Sequence, residues 1–132
     1  MKKEETTPSE SEWIIMEVLW ASSIPLTSQE IIRRVQDKKM SAKTVRVLLN
    51  RLRQKGIVDY LNDKEDARVY HYFALKTKGD CEKEKSRRFV ESYFAGNQTN
   101  ALAALLQSCI LTDEQIEELE DILEQSKGRD DT

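Results

Sequence analysis

Read for apolar spacing alone, the chain opens with Trp13, Met16, Leu19 and Trp20 recurring at helical intervals. Ser9 followed three residues later by Glu12 is a capping box, so a first helix is expected to begin there. The pattern stops at Ala21-Ser22-Ser23-Ile24-Pro25, because proline restrains the residue before it and offers no amide proton. A second capping box, Thr27 with Glu30, leads into Ile31, Ile32 and Val35, the apolar stripe of a second helix. After a turn at Asp37-Lys38-Lys39-Met40, Ser41 caps a third helix whose inner face is Val45, Leu48, Leu49 and Leu52. Gly56 then supplies a left-handed stop.

Beyond Gly56 the period changes. Ile57-Val58-Asp59-Tyr60-Leu61 and Arg68-Val69-Tyr70-His71-Tyr72-Phe73 are rich in β-branched and aromatic residues, with the polar segment from Asn62 to Asp66 between them. Three helices followed by a hairpin predict a winged helix-turn-helix. A two-stranded hairpin is marginal on its own, so its apolar side should rest on the helices.

Past Leu75 the chain reads as charged helices: one over residues 77–94, a break at Gly96-Asn97, an Ala/Leu stretch from Asn100 to Leu106, and a last helix opened by the capping box Thr112 with Gln115. The expected architecture is mainly α with a small β-hairpin, a winged helix-turn-helix domain over residues 1–75 and a helical dimerisation region over residues 76–132. The tail is too short to hide its own apolar residues, and an exposed stripe of that size marks an interaction surface. Phe89, Tyr93, Phe94, Leu102, Leu105, Leu106, Ile116, Leu119, Ile122 and Leu123 are therefore expected to form a homodimer contact. The competing reading is that they pack back onto the first domain as extra core.

Charge sharpens this division. The overall formal charge of -3 hides a first domain that is slightly basic and a tail that is acidic. Between Arg33 and Lys55 stand nine cations against the single acid Asp37, a footprint that suits a polyanion. On a helical projection, Lys43, Val47, Asn50 and Gln54 face away from the leucines, flanked by Arg46 and Arg53 on one edge and by Thr44 and Arg51 on the other. Cations, an amide and a small apolar group are what a DNA major groove accepts. Ser41, Ala42, Lys43, Thr44 and Arg46, near the helix start, are expected to reach base edges and nearby phosphates, with Val47 and Asn50 continuing the same face. Arg51, Arg53 and Lys55 are expected to hold the backbone, and Arg68 in the hairpin to reach a flanking phosphate or the minor groove. Double-stranded DNA is thus the expected partner. The competing function is a winged-helix module that binds protein instead of DNA, suggested by the net acidity and the apolar tail.

Other chemistry is sparse. His71, the only histidine, lies among aromatics in a strand and is expected to pack or hydrogen-bond. Cys81 and Cys109 lack Cys-x-x-Cys spacing and read as free structural thiols, with a redox role left open. There is no Gly-rich phosphate loop, and no catalytic, metal or cofactor site is expected, so the chain does not read as an enzyme. The acids that open the last helix suit the positive end of a helix dipole. The charged start MKKEETTPSE and the lack of any apolar run near the roughly 20 residues that span a bilayer point to the reducing cytoplasm and away from a membrane.

Several segments in this order resemble the penicillinase-repressor family over nearly the whole chain: Ser11-Glu12-Trp13-Ile14-Ile15-Met16-Glu17-Val18-Leu19-Trp20, Ser41-Ala42-Lys43-Thr44-Val45-Arg46, Arg51-Leu52-Arg53-Gln54-Lys55-Gly56, Val69-Tyr70-His71-Tyr72, and Thr112-Asp113-Glu114-Gln115-Ile116-Glu117-Glu118-Leu119. The resemblance implies a homodimeric repressor on an inverted-repeat operator, one recognition helix per major groove and the C-terminal helices of two subunits intertwined. It also implies an inducing signal, in some members an upstream sensor and protease that cut an Asn-Phe bond, in others copper held by Cys-x-Cys pairs. Neither feature is present here: the first place reads Ala103-Ala104-Leu105-Leu106, and the C-terminus holds no cysteine. Operator, target genes and inducer are not legible from the chain.

Overall fold

The computed structural model describes residues 6–129. In chain order they form α1 (Glu10–Ala21), β1 (Leu26–Thr27), α2 (Ser28–Arg34), a single 3-10 turn (Gln36–Lys38), α3 (Ala42–Gln54), β2 (Val58–Asn62), β3 (Tyr70–Ala74), α4 (Lys78–Phe94), α5 (Gln98–Gln107) and α6 (Asp113–Lys127). Two compact units result, the first closing at Arg88 and the second opening at Phe89.

Local chemistry sets the helix ends. At α1 the Ser9 hydroxyl accepts from the Glu12 amide at 3.2 Å while the Glu12 carboxylate accepts from the Ser9 amide at 2.9 Å. The same reciprocal pair opens α2 through Thr27 and Glu30, and α6 through Thr112 and Gln115. Ser41 caps α3 by accepting from the Thr44 amide at 3.1 Å. Just past the other end of α3, Gly56 sits at φ +76°, the left-handed conformation that a side chain disfavours.

In the first unit Ile15, Met16 and Leu19 of α1, Leu26 of β1, Ile31 and Val35 of α2 and its cap, and the four apolar residues of α3 converge on one core. Ile57, Val58 and Cys81 close it, the last from α4. Each large side chain withdrawn from water in this way contributes about 1.5–3 kcal/mol before entropy is counted. Trp20 adds a tether, its indole N–H donating to the Lys76 carbonyl at 2.9 Å.

The sheet corrects the expectation of a bare hairpin. It has three strands in the order β1-β3-β2, all antiparallel, with Leu26 opposite Tyr72 on one side of β3 and Tyr60 opposite Tyr72 on the other. β1 escaped the reading because two residues show no alternation, and because Thr27 also serves as the cap of α2. A second correction concerns the hairpin loop. Arg68 and Val69 belong to the turn and not to β3: the Val69 amide donates to the Asp66 carbonyl at 3.0 Å, and the Val69 carbonyl accepts from the Asp63 amide at 2.9 Å.

The second unit is thin. Among its described residues only Ala101 is buried. Its chain turns at Ala95 and Gly96, both at positive φ, before Asn97 caps α5 by accepting from the Asn100 amide at 2.9 Å. Phe89 lies against Tyr93 and Phe94 at ring separations of 5.4 and 5.6 Å.

Candidate nucleic-acid interface

Burying Val45, Leu48, Leu49 and Leu52 fixes which way α3 faces. Everything at 100° steps from that stripe must then look outward. Lys43, Thr44, Arg46, Val47, Asn50, Arg51, Arg53 and Gln54 are all exposed, as is the cap Ser41, while Ala42 is half-buried. Val47, an apolar residue, stands 43% exposed in the middle of this cationic face. No acid lies on α3.

Lys55 does not join that surface. Its ammonium donates to the Glu12 carboxylate at 2.6 Å and to the Thr7 carbonyl at 3.2 Å, and both partners are buried. The charge read as a phosphate contact is thus neutralised inside the domain, where it joins the end of α3 to the start of α1. Local spacing shows Glu12 only as a capping residue. Its second role was missed because no spacing rule links positions 12 and 55.

The other expected contacts are placed unequally. Arg53 leans over the Tyr60 ring, guanidinium carbon 4.2 Å from its centroid, and its Nε lies 3.5 Å from an Asp59 carboxylate oxygen. Arg68, at the hairpin tip, donates from Nε to Asp66 at 3.1 Å. That bond holds the Asp66 carboxyl below its ordinary value. Asp63 is likewise lowered, chiefly by a hydrogen bond from His71 Nε2 at 2.9 Å and then by the amides of Glu65 and Asp66. His71 is thereby a hydrogen-bonding residue that pins the loop to β3.

Tyr60, Tyr70 and Tyr72 form an aromatic group that the site expectations did not include. They lie in the two segments rich in aromatic residues, but only the register of β2 against β3 brings them together. Burial pushes the Tyr72 hydroxyl above its ordinary pKa, an effect that the nearby Arg53 and Arg46 charges oppose.

The two thiols differ in setting. Cys81 is buried, which raises its pKa and keeps it protonated, and Cys109 is exposed. Among the described residues no cluster of His, Cys, Asp and Glu could hold a metal ion, and no helix is long and apolar enough to cross a membrane.

Comparison with known proteins agrees with the motifs. The methicillin resistance regulatory protein MecI of Staphylococcus aureus (strain N315) is 29% identical over 116 residues, which cover 87% of this chain and 91% of that protein. The penicillinase repressor of Bacillus licheniformis is 31% identical over 121 residues, 92% of each chain. Among solved structures, the DNA-binding domain of the repressor BlaI in solution aligns at 26% identity and a TM-score of 0.49, covering 60% of this chain and 93% of that domain. The family profile of the penicillinase repressors matches residues 8–125, and the chain belongs to that family.

Proposed function

We propose that this chain is a transcriptional repressor that binds double-stranded DNA as a homodimer and reads an inverted-repeat operator. The observation that carries the reading is the acid-free, cationic outer face of α3, held rigidly outward by four buried residues behind it. The relatives named above support it, being regulators of methicillin resistance and of penicillinase.

In this reading residues 1–75 form the DNA-binding domain. Lys43, Thr44, Arg46, Val47 and Asn50 enter the major groove, Ser41 and Ala42 approach it at the helix start, and Arg51 and Arg53 hold phosphates. Residues 76–132 form the dimerisation domain. One module buries too little surface for specific affinity, and a two-fold pair gains the second half-site almost intramolecularly. Repression follows from occupying the site that polymerase needs. Release by an upstream sensor or protease would require a different cut from Asn-Phe, because α5 reads Ala103-Ala104-Leu105-Leu106 at the matching place.

The test is selection of labelled duplexes from a random-sequence pool by the full chain, followed by mobility shift across a salt series. A two-fold symmetric sequence should emerge, and its affinity should fall linearly on logarithmic axes as salt rises. On that duplex Arg46→Ala should cost about 1–3 kcal/mol and relax preference at one position. Enrichment of no sequence, or equal binding of its scrambled version, overturns the reading.

A further inference from the structure

The tip of the hairpin is poorly suited to a polyanion. Between Asn62 and Arg68 three acids, Asp63, Glu65 and Asp66, outnumber Lys64 and Arg68, and the Arg68 guanidinium is turned onto Asp66 through both Nε and Nη2, at 3.1 and 3.3 Å. The strands that lead into the tip are different. Tyr60 and Tyr72 sit opposite each other on β2 and β3, and Tyr70, two residues before Tyr72, shares their face of the sheet. The Tyr60 and Tyr70 rings stack at 4.0 Å and 15°, and Tyr72 meets both edge-on, at 5.7 and 6.4 Å.

Two features set this group apart from ordinary packing. First, none of the three tyrosines is fully buried, none of their hydroxyls bonds to a described residue, and Tyr70 is 37% exposed, so the phenols are available to an outside acceptor. Second, a cation of α3, Arg53, stands directly beside them. Arg53 lies over the Tyr60 ring with its Nε toward Asp59, and Arg46 is close enough for its charge to act on Tyr72. A guanidinium stacked on one side and ion-paired at Nε is preorganised, which lowers the entropy lost when its remaining N–H groups bind an anion.

We propose that Tyr60 and Tyr70, with Arg53 and Arg46, form a phosphate cradle that grips the DNA strand running between α3 and the hairpin. The hairpin then acts through the aromatic face of its strands and not through Arg68 at its tip. Neutral hydroxyls donate to phosphate oxygens, and the flanking guanidinium groups supply the charge. This rests on the DNA-binding reading above, and it adds a second contact that the sequence expectations assigned elsewhere.

The experiment measures fluorescence anisotropy of the duplex selected by the wild-type full chain, at several salt concentrations. Tyr60→Phe and Tyr70→Phe keep the ring stack and remove only the hydroxyls, so thermal midpoints should hold. Affinity should fall roughly 5-fold for each and roughly 10- to 30-fold for the pair. Because a phenol carries no charge, the salt slope should stay unchanged, whereas Arg53→Ala should lower it by about one. Arg68→Ala should lose less than either tyrosine variant. Wild-type protein that retains no duplex sinks this inference together with the repressor reading. Wild-type binding that the Phe variants match, or losses that track a fall in thermal midpoint, sink the cradle alone.

Discussion

Helix α3 opens on a serine cap and α6 on a threonine cap, and both carry apolar residues every three or four positions, yet α3 buries four of them and α6 buries none. Ile116, Ile122 and Leu123 stand 42, 53 and 60% exposed. Their polar faces are opposite as well. α3 offers Lys43, Arg46, Arg51 and Arg53 without an acid, and α6 offers Asp113, Glu114, Glu117, Glu118, Glu120, Asp121 and Glu124 against Lys127. An amphipathic pattern therefore fixes a helix but not its partner. The stripe of α3 is satisfied within the chain, which frees its charge for a phosphate backbone. The stripe of α6 stays exposed among the described residues of its own unit, its acidity disfavours that same backbone, and under the dimer reading proposed above a second copy of the protein would cover it.

The sharpest break of this comparison puts charge into the unsatisfied stripe. Ile122→Asp combined with Leu123→Asp should give a monomer by light scattering, and affinity for the selected inverted repeat should fall about 10²- to 10⁴-fold as the linked second half-site is lost. Binding to a single half-site should stay near its wild-type value. A double variant that remains dimeric would move the contact to another part of the tail.

A smaller effect separates cations that hold the fold from those offered to DNA. Lys55→Met removes the cation paired with the buried Glu12 carboxylate, and should cost up to about 3 kcal/mol in a denaturant titration. Arg51→Ala, whose side chain is exposed, should leave stability within about 0.5 kcal/mol while weakening DNA of any sequence. If Lys55→Met unfolds no earlier than wild type, the ion pair is only a surface contact and Lys55 returns to the DNA face.

That contrast also marks what the sequence could reveal. Three capping boxes, the Ser41 cap, the Gly56 stop and the buried stripe of α3 are local: each depends on residues three or four apart, and each appears as expected. The outward direction of Lys43, Val47 and Asn50 follows from the stripe by geometry alone. What was missed depends on distant pairs. β1 exists only because Leu26 finds Tyr72, Lys55 turns inward only because Glu12 waits there, and the tyrosines meet only in one strand register. The change of composition at Leu75 marks where the strands give way to α4. The first compact unit runs on to Arg88 because Cys81 enters its core and because Thr6 meets Glu84 and Arg88 at 3.3 Å.

The smallest effect tests the hairpin, where an acidic tip and aromatic strands stand a few residues apart. Asp63 accepts from His71 Nε2 and from the amides of Glu65 and Asp66, so its carboxylate form is favoured in the folded loop and its pKa lies below the ordinary value. A depressed carboxyl pKa contributes stability that is present above the unfolded value of about 3.9 and is lost as pH falls through the lower folded value. The loop should therefore hold at neutral pH and loosen only in strong acid, seen as a joint shift of the Glu65 and Asp66 amide resonances. His71→Ala should move the Asp63 titration part of the way back toward the ordinary range, since the two amides remain. If the tip does not touch DNA, the same substitution should change affinity less than twofold at neutral pH. An Asp63 midpoint unmoved by His71→Ala would mean that the amides hold the carboxylate unaided. A large affinity loss would mean that the shape of the tip matters to the duplex after all.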